Sequence, residues 1–250
     1  MSKLWSRLAV LVFAFATADA AHAQVVISQV YRGGGNTGAT FRNDFIELRN
    51  NGASAVSVEG WSVQYTSAAG TSWSGRTSLS GSIAPGRYYL VQQAAGSGGS
   101  VDLPLPDATG TIAMSGTAGK VALVSTTVVL GGTCPLGGAV VDFVGYGSAN
   151  CFEGAAAVGS LSSNTTAALR NGAGSVDSDN NTADFTRAAP APRNSGAAPP
   201  PPPEPPVALS IAPIQGAGLR SAHDERVVVT EGIVTARSCA AATARPTRSR

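Results

Sequence analysis

The chain has 250 residues, of which only 13% are charged and 30 are glycine. That balance suits a β-protein with many turns and excludes a helical bundle, which needs Leu, Glu and Lys at helical spacing. The formal charge of +2 belongs to the chain ends: residues 24–236 hold 11 basic against 14 acidic side chains, without the basic excess expected of a nucleic-acid-binding face.

Residues 1–23 read as a cleavable secretory signal peptide. Lys3 and Arg7 give a positive start, Leu8 to Ala16 are unbroken apolar, and Ala21-His22-Ala23 offers small residues at the positions a signal peptidase reads. Cleavage is expected before Gln24, which makes the mature chain an extracellular or periplasmic protein. A membrane anchor would need roughly 20 apolar residues, and this run stops at Thr17 and Asp19. No later segment is long and apolar enough to span a bilayer as a helix.

Strands are predicted at 24–31, 44–50, around Val56 and Val58, 60–65, within 82–92, 120–125 and 140–146, from alternating or short apolar runs between Gly-, Asn- and Pro-containing turns. In 44–50, Phe45 and Glu47 share one face, and Ile46 and Leu48 the other. In 60–65, Trp61, Val63 and Tyr65 share a face opposite Ser62 and Gln64, the pattern of a half-buried strand with Trp61 as its aromatic anchor. Gly33-Gly34-Gly35-Asn36 is a plain loop, because no Gly-Lys-Ser/Thr follows it as a phosphate loop requires. The absence of helical patterns between strands points to an all-β, antiparallel sandwich rather than a parallel α/β fold.

Cys134 and Cys151 flank the 140–146 strand, and in an exported chain they are expected to form a disulfide. Zinc would need more Cys or His than lie nearby. Cys239 is left without a partner. Pro199 to Pro203, with Pro205 and Pro206, place a proline-rich linker at 196–206. Beyond it, 207–218 and 226–236 read as two strands. Residues 237–250 then lose all periodicity, as if translated in another reading frame of a GC-rich gene.

The strand set resembles a lamin tail domain, through Val26 to Tyr31, Asn43 to Leu48, Gly60 to Tyr65, Ile83 to Val91 and Val141 to Gly147. Asn150 to Gly154 and Asp177 to Phe185 are similar to the bacterial version found at the front of secreted nucleases of the endonuclease/exonuclease/phosphatase superfamily. Ile214-Gln215-Gly216 and Glu231 to Ala236 resemble the opening of an oligonucleotide-binding barrel. The resemblance implies an immunoglobulin-like β-sandwich over 24–195 and a truncated start of a barrel over 207–236, with an aberrant tail at 237–250. The metal-dependent catalytic domain of full-length relatives is then missing from this chain.

Phosphodiester hydrolysis by that superfamily needs histidine and metal-holding carboxylates. His22 departs with the signal peptide and His223 sits beyond the linker, so no His–carboxylate dyad can form within the sandwich. No catalytic, cofactor-binding or metal-ligating residue is expected; the one site pair is Cys134 and Cys151. Asp177, Asp179 and Asn181 alternate as calcium ligands do, but Thr182 and Ala188 stand where a calcium loop wants Gly and Glu. A solvated Asx-rich turn is the better reading. Lys120 is expected at the surface, Glu47 as a surface carboxylate and Asp44 as a turn-side acid. Asn164-Thr165-Thr166 and Asn180-Asn181-Thr182 fit the glycosylation sequon, idle in a bacterial source.

The function these readings support is an exported, non-catalytic binding or targeting module, the N-terminal fragment of an extracellular nuclease. Its partner would be a cell-surface or extracellular polymer, or the downstream nuclease domains. Two alternatives are an extracellular endonuclease represented by an incomplete chain, and a structural or adhesive surface protein.

Overall fold

The computed structural model describes residues 24–161 and 163–198, together with the strand backbones at 207–208 and 228–229. The expected signal peptide, the polyproline run and the aberrant tail lie outside the described residues. The chain divides into two units, Met1–Pro200 and Pro201–Arg250.

The first unit is a β-sandwich. Its strands are β1 (Val25–Tyr31), β2 (Asn43–Asn50), β3 (Val56–Ser57), β4 (Ser62–Ser67), β5 (Gly75–Ser78), β6 (Ser82–Ile83), β7 (Tyr88–Ala95), β8 (Ala108–Thr109), β9 (Gly119–Val124), β10 (Val140–Tyr146), β11 (Ala167–Arg170) and β12 (Phe185–Ala188). Two four-residue helical turns, α1 (Asn171–Gly174) and α2 (Asn181–Asp184), separate the last two strands. One sheet runs β12-β11-β1-β2-β7-β8, the other β10-β9-β4-β5, and β3 pairs with β6. All pairings in this unit are antiparallel except β7 with β8. In the second unit β13 (Val207–Ala208) pairs in parallel with β14 (Val228–Val229), within the two segments expected to be strands.

Alternation decides what enters the core. Val25 and Ile27 of β1, Ile46 and Leu48 of β2, Val91 of β7, Val63 of β4, Val121 and Leu123 of β9, and Val144 of β10 fill the space between the sheets. Val30 joins them although its parity is wrong for an unbroken strand. The register of β1 on β2 shifts between Ile27 and Gln29, and that bulge resets the alternation.

Both outer faces are covered as well. Tyr31, Phe41, Phe45, Leu90 and Ala167 form a second cluster outside the larger sheet, with Leu103 packed on it. Trp73, Ala122, Val124, Phe143 and Cys151 form a third outside the smaller sheet. Gly60–Tyr65 is therefore not half-buried. Ser62 and Gln64 are fully buried, with Ser62 Oγ donating to Thr126 O and Gln64 bridging Val128 O and Leu130 N. Nor is Trp61 the aromatic anchor, being only partly buried; Trp73 fills that role, edge-on to Phe143 at 5.6 Å between ring centres.

The disulfide Cys134–Cys151 is formed, with a Cα–Cα separation of 5.2 Å. Beside it stands Lys120, which is not on the surface but fully buried. Its Nζ donates to Gly70 O at 2.8 Å, Thr133 O at 2.7 Å and Asn150 Oδ1 at 2.9 Å, and faces the Trp73 ring. An ammonium has three donors, and all three are used. Burial pushes the Lys120 pKa down.

Candidate binding groove and the ion pairs that frame it

The larger sheet carries a groove of about 800 Å3 on its outer face. Phe41 and Leu169 form its apolar floor. One wall is the Val101–Pro104 loop, which is tied to the strand approach by Arg42 N–H donating to Val101 O at 3.0 Å and Val101 N–H donating to Thr40 O at 3.1 Å. The other wall is a strap, residues 190–193, and the end is closed by α1.

The strap follows from side-chain chemistry rather than strand pairing. Gln29 of β1 uses its amide as a backbone surrogate, donating to Ala191 O at 3.0 Å and accepting from Ala191 N at 2.8 Å. Arg193 then reaches Glu47 of β2, with Nη2 to Oε1 at 2.8 Å and its backbone N–H to Oε2 at 2.6 Å. The guanidinium lies over the Tyr88 ring, 3.7 Å from its centre, and donates to the Tyr88 hydroxyl at 2.7 Å. Ser195 is held by Asp107, and Arg87 donates to Ala197 O at 2.6 Å. Glu47 is thus no surface carboxylate: it is fully buried and ion-paired. Its partner Arg193 lies 146 positions along the chain, which strand alternation alone does not reveal.

A second buried ion pair fixes α1. Because β11 pairs with β1 only at Gln29 and Val30, the Ile27 backbone groups on that edge need other partners. Asp142 accepts the Ile27 N–H, and Arg170 Nε donates to Ile27 O at 2.9 Å. Arg170 Nη2 also meets both oxygens of Asp142, at 2.9 and 2.7 Å, while Nη1 reaches Asp177 Oδ1 at 2.7 Å and Asp184 Oδ2 at 3.5 Å. Burial opposes the Arg170 charge, but the carboxylates of Asp142 and Asp177 outweigh it and hold its pKa above the ordinary arginine value. Burial raises the Asp177 pKa against the pull of Arg170.

The Asx-rich turn is solvated at Ser178 and Asp179 but packed at its two ends, Asp177 and Asn181. Asp177 pairs with Arg170. Asn181 is fully buried and acts on another element: Nδ2 donates to Phe143 O and Oδ1 accepts from Gly145 N, each at 2.8 Å, sealing the outer edge of β10. Asp179 has a left-handed backbone, φ 51°. The three residues serve different purposes, and no group of three or more His, Cys, Asp or Glu among the described residues could hold a metal ion. Glu153, beside this cluster, is pushed up to about 9 by burial and by the charge of Asp142, against Arg170. Asp44 is also buried; its carboxylate accepts from Gly34 N and Met114 N, both at 2.9 Å, and burial pushes it up to about 7.

The floor of the groove is apolar, Asp102 and Arg193 bring charge into its walls, and the charges around it are already paired: Arg170 with Asp142 and Asp177, Arg193 with Glu47, Arg42 with Asp102. His22 and His223 both lie outside the described residues. Among the described residues no helix is long and apolar enough to cross a membrane.

Two packed, mainly antiparallel sheets around one shared apolar core form an immunoglobulin-like β-sandwich. The family model of the Lamin Tail Domain matches residues 18–183, and the chain belongs to that family. Among solved structures it is similar to a DUF4876 family protein from Bacteroides thetaiotaomicron VPI-5482, at 15% identity and a TM-score of 0.47, over 72% of this chain and 75% of that one. No curated protein matches it.

Proposed function

We propose that this chain is an exported, non-catalytic binding or targeting module, and that it forms the N-terminal part of an extracellular nuclease. The observation that carries the binding role is the groove on the larger sheet, whose strap and end wall are each pinned by a buried ion pair. A site held open before its ligand arrives loses less on binding. Its occupant is an extended, uncharged polypeptide segment with proline or aliphatic side chains, because Phe41, Leu103, Pro104 and Leu169 line it and its margin has no unpaired charge for a polyanion. The signal-like N-terminus and the disulfide support export. The motifs at 150–154 and 177–185, with those at 214–216 and 231–236, support the nuclease context.

Two measurements test this on the chain from Gln24 onward. Incubated with DNA or RNA and magnesium, manganese or calcium, it should leave both intact; metal-dependent cleavage overturns the non-catalytic role. Titrated with a synthetic Pro-Val-Pro-Leu repeat peptide, it should bind saturably, and Val101→Glu should abolish binding without changing thermal stability, since Val101 is 45% exposed. Unchanged binding by that variant removes the groove from the proposal.

A further inference from the structure

A second, polar cavity of about 450 Å3 opens at one end of the sandwich, between the loop after β1, the loop before β9 and the loop before β11. Arg32 lines it and is only 1% exposed. One Nη donates to Leu161 O and the other to Asn164 Oδ1 at 3.3 Å, while Nε has no acceptor.

Arg32 differs from the other deeply placed arginines. Arg170 meets three carboxylates and Arg193 meets Glu47, whereas no carboxylate among the described residues stands within ion-pair distance of Arg32. Asp44 acts on it only from farther off, with both carboxylate oxygens already accepting from backbone amides. A buried guanidinium with neither a counter-charge nor a full set of acceptors is costly. The rest of the lining supplies neutral hydroxyls, those of Thr37, Ser160 and Thr117, the last in a hydrogen bond with Ser115 Oγ at 3.2 Å, and open glycine walls. A Cβ on Gly38 would meet nothing within 4 Å, and one on Gly116 only the Asn36 amide at 3.8 Å.

We propose that this cavity is an oxyanion subsite, in which Arg32 supplies the charge and Thr37, Thr117 and Ser160 the neutral donors for a phosphate or sulfate group. Leu161 O and Asn164 Oδ1 engage two of the five guanidinium N–H groups, which leaves three that, with the surrounding hydroxyls, suit the oxygens of such a group. The site is separate from the apolar groove and stands or falls independently of it.

The test is an amide-resolved NMR titration of the chain from Gln24 onward, at constant ionic strength in chloride, with inorganic phosphate, inorganic sulfate, acetate and dextran sulfate. Saturable shifts are expected at the amides of Thr37, Gly116 and Thr117 with phosphate and sulfate, and not with acetate. Arg32→Gln should abolish them. Because that variant removes a buried hydrogen-bonding group and can unfold the chain, Gly116→Asp provides the second arm: it places a carboxylate in the cavity and should weaken binding about tenfold or more. Tighter binding of dextran sulfate than of free sulfate supports a polymer-borne group, and equal affinity a free ion. Unmoved amides, an equal response to acetate, or full-affinity binding by Gly116→Asp each overturn the proposal.

Discussion

At the scale of single residues, this molecule places charge where its fold would otherwise leave backbone groups unpaired. β11 pairs with β1 only at Gln29 and Val30, which leaves Ile27 without strand partners on that edge, and the Asp142–Arg170 pair fills the gap. Burial, reinforced by the charge of Asp142, raises the Glu153 pKa from an ordinary 4.5 to about 9 in the folded chain. Because the folded chain holds this proton more tightly than the unfolded one, the contribution of Glu153 to stability is full below pH 4.5 and is lost as pH rises toward 9. Asp44, raised to about 7, acts in the same direction over a lower window. Above pH 7 the Asp44 contribution is largely spent, so the difference between the wild type and a Glu153 variant from pH 7 to 9 reports on Glu153. Urea unfolding across that interval should show a falling stability in the wild type and a flatter profile in Glu153→Gln; identical slopes would refute the assignment.

At the scale of elements, the loop between β9 and β10 is held by two unlike devices at one place. The disulfide joins Cys134 to Cys151, and Lys120 grips Thr133 and Asn150, the residues immediately before each cysteine. Opening a covalent loop with a sequence separation of 17 should lower stability by about 3 kcal/mol. Lys120→Met leaves the Gly70 and Thr133 carbonyls and the Asn150 amide oxygen without their donor and should be destabilising in its own right. Since both devices restrain the same segment, the combined Cys134→Ser, Cys151→Ser, Lys120→Met variant should differ from additivity by about 1 kcal/mol. Thermal or chemical unfolding of the four members of this cycle decides it, and strict additivity would show that the two act independently.

At the scale of the whole molecule, Arg193 joins the strap to the sheet. Arg193→Ala strands a fully buried Glu47 and should cost about 3 kcal/mol. Hydrogen exchange should accelerate first at Ala191 to Ala197, with the inter-sheet core protected for longer; uniform acceleration would mean that the strap is not a separate unit. β1, β2 and β4 were legible because a two-residue period maps directly onto the two faces of a sheet, and β7, β9 and β10 as short apolar segments between turns. Gly75–Ser78, Ala108–Thr109, Ala167–Arg170 and Phe185–Ala188 were not, because these short segments become strands only through their neighbours. The disulfide could be read from spacing and context. Lys120 could not, since its three acceptors come from loops 13 to 50 residues away. The groove was invisible for the same reason: its walls, near residues 101 and 193, meet only in the folded chain.

The strap also determines how the domain responds to load. Its anchors follow one another along the chain: Ala191 on Gln29, Arg193 on Glu47, Ser195 on Asp107 and Ala197 on Arg87. A pull on the chain beyond Ala198 meets them singly and in reverse order, so tension peels the strap before it reaches any strand of the sandwich. The Arg193–Glu47 pair should then serve as a mechanical fuse, yielding under force while the core and its disulfide stay closed.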